Sequence, residues 1–197
     1  MKQLGFTHAE INLNAISHNI SEFKRIIGRQ TKIMAVVKAN GYGHGAVEVG
    51  RSALRSGVSF LSVATPSEAL ELRDAGIDSP ILILSEAPPS ATQEIVNVSV
   101  SQTVYTLTFA RALSAEGLRQ GKVVPVHIKV DTGMGRIGVL EDKAITLIKE
   151  VSSLPNLTLE GIFTHFAKAE DLTSDYTDIQ FSKFLNILKS LEKEKIY

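Results

Sequence analysis

The run Phe60-Leu-Ser-Val-Ala-Thr-Pro-Ser-Glu-Ala-Leu-Glu-Leu-Arg-Asp-Ala-Gly-Ile-Asp-Ser-Pro-Ile-Leu-Ile-Leu-Ser85 contains one full repeat of the architecture. Its two ends, Phe60 to Ala64 and Ile81 to Ser85, are short apolar runs that suit strands covered on both faces. Between them Pro66 to Ala75 reads as a helix, with proline at its start and Gly76 just past its end. Two such strands joined by a helix pair in parallel, because a parallel pairing needs a crossover.

The same unit recurs on both sides. Downstream, helices are expected over 90–98, 109–120, 142–152 and 179–195, and strands over 103–105, 124–131 and 157–165. Upstream, Lys32 to Lys38 is a nearly continuous apolar strand, and Ala46 to Ser56 a helix stopped by Gly57. Ile16, Ile20, Phe23 and Ile27, spaced by three and four, predict an amphipathic helix closed by Gly28. Before it, Glu10-Ile-Asn-Leu-Asn14 alternates polar and apolar residues, which predicts a half-exposed extra strand.

Setting that first strand aside, six apolar strands are each followed by a helix, so the fold class is α/β. The sheet can remain open and doubly wound or close as a (β/α)8 TIM-type barrel. A barrel needs eight units and about 250 residues. On the barrel reading the chain holds about six of the eight units and stops about two short. The whole of 1–197 is expected to be one partial barrel domain.

Composition removes several function classes. With 197 residues and 44% hydrophobic content the chain is long and apolar enough for a real core. Twenty-one Lys and Arg balance twenty-one Asp and Glu, leaving no global basic field for nucleic acid or an anionic membrane. Zero cysteines exclude thiolate metal sites and thiol nucleophiles, and the five histidines show no metal-ligating spacing, so no metal is expected. Met1 to Glu10 has no apolar export core and no run reaches membrane-spanning length, so a cytoplasmic location is expected.

Three clusters can carry chemistry. In Val37-Lys-Ala-Asn-Gly-Tyr-Gly-His-Gly45 a lysine ends a buried strand and three glycines follow at alternate positions. Desolvation at a strand end favours a neutral amine, which can condense with an aldehyde, and the glycines supply positive φ and close approach. The plainer alternative is a lysine snorkelling out beside an ordinary turn. In Lys129-Val-Asp-Thr-Gly-Met-Gly-Arg-Ile-Gly138, Gly133, Gly135 and Gly138 match G-x-G-x-x-G in letters only, since no helix opens on them. That segment offers Arg136 as a planar donor to an oxygen anion. Lys129 and Asp131 are expected on opposite strand faces, with Asp131 serving the turn. In Gly161-Ile-Phe-Thr-His-Phe166, His165 is expected to end the last strand, matching the positions of Lys38 and Arg136.

Ala35-Val-Val-Lys-Ala-Asn-Gly-Tyr-Gly-His-Gly45 closely resembles the pyridoxal-phosphate attachment signature of bacterial alanine racemases. Ala9 to Leu13, Lys129 to Gly138 and Gly161 to Phe166 fall in that family's order, so the resemblance runs from about residue 9 to the end. It implies pyridoxal 5'-phosphate as cofactor, linked as an imine to Lys38, which also acts as one of two acid/base groups. Tyr42 would reach the phosphate, and Arg136 the cofactor's phenolic oxygen and the substrate carboxylate. His165 would pack on the pyridine ring. Lys129 matches a lysine carbamylated in relatives, a negative group that would orient Arg136; the alternative is an unmodified lysine bridged to Asp131 or solvent. The implied reaction interconverts L- and D-alanine, feeding peptidoglycan.

The family pattern also includes a complete barrel and a C-terminal β-domain, whose tyrosine acts across a homodimer interface. These lie beyond residue 197, and no motif around Tyr197 marks it as that tyrosine. The chain is therefore expected to be a fragment with little activity alone. Alternatives kept open are a stand-alone pyridoxal-phosphate-binding barrel and a serine or broad-specificity racemase.

Overall fold

The computed structural model describes residues 7–196; Tyr197 and the first six residues of the N-terminal reading lie outside them. Six parallel strands form one sheet. These are β1 (Met34–Val36), β2 (Phe60–Val63), β3 (Ile81–Ile83), β4 (Ser101–Val104), β5 (Val124–Asp131) and β7 (Leu157–Phe163). Each pairs with the next in parallel, as in Ala35 with Leu61, Leu61 with Ile81 and Ile128 with Ile162. A two-residue strand, β6 (Val139–Leu140), adds to the end of β5. Helices α3 (Ala46–Arg55), α4 (Pro66–Asp74), α5 (Thr92–Val98), α6 (Leu107–Gln120), α7 (Glu141–Ser152) and α8 (Tyr176–Lys193) follow the strands in turn. The expected α/β barrel architecture is present, six units long among the described residues.

Its core lies between sheet and helices. Leu61, Val63, Ile81, Ile83, Val126, Ile128 and Val130 face Leu72, Ile95, Leu113 and Ile148, all fully buried. Each such side chain contributes about 1.5–3 kcal/mol by leaving water. Among the described residues no helix is long and apolar enough to cross a membrane.

One expected element is replaced. Glu10 to Asn14 forms no strand; helix α1 (Leu13–Ile27) begins within it. Asn12 Oδ1 accepts the backbone N–H groups of Asn14 (3.0 Å) and Ala15 (3.3 Å), capping α1. A side-chain oxygen that satisfies free helical N–H groups outweighs a short alternation without a pairing partner.

Candidate active site

Lys38 follows β1 and opens a five-residue turn, α2 (Lys38–Tyr42), of unusual hand. Ala39 (φ 51°, ψ 48°), Asn40 (φ 52°, ψ 48°), Gly41 (φ 61°, ψ 36°) and Tyr42 (φ 54°) are all left-handed, and Gly43 and Gly45 continue at positive φ. For an alanine or tyrosine this backbone costs about 1–2 kcal/mol per residue, less for asparagine. Local bonds hold it closed: Gly41 N–H donates to Val37 O at 2.8 Å, and Ala46 N–H to Asn40 Oδ1 at 2.9 Å. Positive φ at the glycines follows expectation. Its extension through Ala39, Asn40 and Tyr42 does not, since those residue types normally signal the right-handed region. The turn leaves Tyr42 60% exposed, with the Lys38 amine 6.0 Å from its ring centre.

Lys129, Arg136 and His165 gather on the same rim. Lys129 lies in β5, Arg136 in the loop from β5 to β6, and His165 two residues past the end of β7 rather than at its last position. Burial lowers the His165 imidazole below its ordinary range, and the positive charges of Arg136, Lys129 and Lys38 lower it further. Lys38 and His165 follow the first and last of the six parallel strands, both past their carboxyl ends. This is the rim where barrel folds carry chemistry.

The desolvated amine of the site is Lys129, only 3% exposed, whereas Lys38 is half-buried. Lys129 Nζ has no hydrogen-bond partner and sits 5.4 Å from the centre of the Phe163 ring. Burial, then Arg136, pull this amine below the lysine range against the opposing pull of Asp131. The expectation that Lys129 and Asp131 face opposite ways is corrected here, because residues two apart on a strand return to one face. Yet Asp131 does not bridge Lys129. It accepts from Gly133 N–H (2.9 Å) and Gly135 N–H (3.0 and 3.1 Å) and holds the glycine loop, as a turn residue should. Burial opposes ionisation of Asp131, but those N–H groups, Met134 and Lys129 together keep it below the ordinary range. The loop runs into β6, confirming that its glycines open no dinucleotide-binding helix.

Two clamps on α8 were not foreseen. Gln180 is fully buried; its Nε2 donates to His165 O (3.0 Å) and Thr132 Oγ1 (3.2 Å), and its Oε1 accepts Ala167 N–H (2.8 Å). Tyr176 Oη donates to Gly133 O at 2.8 Å. These two side chains join the loop that carries Arg136 to the segment that carries His165. A lone glutamine on the face of a helix that packs inward was the available signal.

The rim is thus rich in cationic and neutral basic groups, with a lysine that can be captured by an aldehyde and an arginine suited to carboxylate or phosphate. An anionic aldehyde cofactor fits this donor set, and the unpartnered Lys129 amine leaves a place for one more acceptor beside Arg136.

Comparisons with known proteins agree in kind. The family model described as alanine racemase, N-terminal domain, matches residues 11–197. The chain is 47% identical over 191 residues to alanine racemase 1 of Caldanaerobacter subterraneus subsp. tengcongensis, covering 96% of this chain and 49% of that protein. It is 46% identical over 189 residues to alanine racemase of Methanococcus maripaludis, covering 95% and 51%. The solved alanine racemase of Clostridium difficile 630 superposes with a TM-score of 0.95 at 35% identity, covering 100% of this chain and 52% of that one. A histidine racemase from Leuconostoc mesenteroides superposes with a TM-score of 0.81 at 30% identity, covering 87% and 46%. The chain spans about half the length of the relatives it matches.

Proposed function

Because the chain belongs to the alanine racemase N-terminal domain family, we propose that its basic rim binds pyridoxal 5'-phosphate on Lys38 and serves the interconversion of L- and D-alanine. The observation that carries this reading is that Lys38, Lys129, Arg136 and His165 all stand at or just past the carboxyl ends of parallel strands, on one rim of the sheet. When bound, the cofactor supplies an aldehyde for the lysine and a conjugated ring that accepts electron density from the substrate's Cα.

The chain's own residues do the rest. Lys38 would hold the cofactor covalently, and its amine would move the Cα proton on one face. Tyr42, on the exposed side of the left-handed turn, would offer its hydroxyl to the phosphate. Arg136 binds the phenolic oxygen and the substrate carboxylate, both anionic and planar enough for a guanidinium fork. His165, held below its ordinary range first by burial and then by the neighbouring Arg136, can pack on an aromatic face without adding charge. Lys129, whose amine is shifted by burial toward the neutral form, would add carbon dioxide and release a proton, and the resulting carbamate would pair with Arg136. The opposite-face proton is assigned to a tyrosine of a further β-domain, delivered across a homodimer interface. The resulting D-alanine would serve peptidoglycan, in a cytoplasmic setting.

Borohydride reduction with pyridoxal 5'-phosphate, followed by peptide mapping, tests the central assignment. Label on Lys38 supports it; label elsewhere, or none, rejects it. The likeness to a histidine racemase favours a second substrate reading, so D-alanine and D-histidine formation belong in one assay.

A further inference from the structure

The left-handed turn after Lys38 is reached by a carboxylate from the next βα unit. Glu68, on the first turn of α4, has its backbone N–H bound by Thr65 Oγ1 at 3.3 Å, and its Oε2 accepts Thr65 N–H at 3.2 Å, a reciprocal helix cap. Capping alone would use no more of the carboxylate than this. Here Oε2 also takes Ala64 N–H at 2.7 Å, and Oε1 crosses to Ala39 N–H at 2.7 Å. Hydrogen bonds to an ionised acceptor are short and about twice as strong as neutral ones. The Ala39 N–H lies in the same rigid peptide plane as the Lys38 carbonyl. Fixing that N–H therefore fixes the orientation of Lys38 at the point where the chain leaves right-handed space.

We propose that Glu68 is a positioning residue for Lys38: its carboxylate ties the Lys38–Ala39 peptide to the end of β2 and holds the strained turn that aims the amine. This rests on the reading of Lys38 as the cofactor lysine. Glu68 acts through backbone alone, which distinguishes it from the residues that would touch cofactor or substrate.

The test compares Glu68→Ala, Glu68→Gln and Thr65→Ala. Thr65→Ala removes the other arm of the cap, and so weakens α4 without releasing Ala39. Pyridoxal 5'-phosphate is titrated by the absorption band that Lys38→Ala abolishes, and Ala39 amide exchange is followed by NMR, independently of cofactor. Glu68→Ala is expected to weaken cofactor affinity tenfold or more and to speed Ala39 exchange at least tenfold. Thr65→Ala should change neither by more than twofold while lowering Tm comparably. Glu68→Gln should fall between, since an amide offers only one acceptor. Adding Ala39→Gly to Glu68→Ala should recover part of the affinity, because glycine takes positive φ without a steric cost. Unchanged affinity in Glu68→Ala beside a normal wild-type band, or an equal loss in Thr65→Ala, overturns the proposal alone. A wild-type protein with no Lys38-dependent band overturns the reading of Lys38 and the proposal with it.

Discussion

Gln180 Nε2 donates to the backbone carbonyl of His165 at 3.0 Å, so a side chain on α8 sets the height of the histidine above β7. The same amide group reaches Thr132 and Ala167. Gln180→Leu takes this partner from the part-buried His165 carbonyl and Ala167 N–H, while Thr132 Oγ1 keeps Thr164 Oγ1 at 2.8 Å; a buried polar group left unpaired costs about 1–3 kcal/mol. The expected result is a lower urea midpoint with unchanged slope; a midpoint within error of wild type would show that the clamp contributes nothing.

Lys129 is a buried amine without a hydrogen-bond partner. Its folded pKa lies below the ordinary lysine value of 10.5, so the unfolded state binds more protons and stability rises as pH climbs toward that value. Lys129→Met should therefore be more stable than the unmodified protein at neutral pH, by about 1–3 kcal/mol, the cost of a buried polar group left without a partner. The advantage should shrink toward pH 10.5. Bicarbonate should close the same gap, with a carbamate carbon signal that the variant lacks.

His165 titrates in the opposite half of the scale. Its folded pKa is depressed below the ordinary value of 6.5, so it is neutral in both states above that pH. Acidification below about 6.5 protonates the unfolded chain first and costs stability. His165→Gln should remove this part of the acid slope. Chemical denaturation of both proteins at pH 7.5 and 5.5 measures it, and identical slopes would contradict the assigned shift.

Gly161 faces His127 across the β5–β7 pairing, where a Cβ would come within 2.8 Å of His127 Nδ1. That imidazole is held in place by Glu160 Oε2 at 2.9 Å, so it cannot simply swing aside. Gly161→Ala should cost about 1–3 kcal/mol, as overpacking does. Adding His127→Ala should return most of the loss, a coupling that a double-mutant cycle reads directly.

The strand–helix alternation was legible because each buried strand is a bare apolar run and each helix carries its own stops, as Pro66 and Gly76 show. Lys38, Arg136 and His165 were legible for a related reason: in a parallel sheet, polar residues past strand ends gather on one rim. What was not legible is contact across sequence. Glu10 to Asn14 reads as a strand until Asn12 is seen capping α1. The two residues of β6 are too few to show a period. Left-handed backbone at Ala39 is invisible in its side chain, and the duty of Gln180 depends on loops that only the fold brings beneath it.

Each long pairing in the sheet joins neighbours along the chain: Ala35 with Leu61, Leu61 with Ile81, Gln102 with Val126 and Ile128 with Ile162. Pairings of this kind close short loops and can be made one after another as the polypeptide leaves the ribosome. The nascent protein thus presents Lys38 well before His165. When β7 arrives, its imidazole joins lysines and an arginine laid down earlier, so the basic rim is put together in stages along the growing polypeptide rather than at one moment.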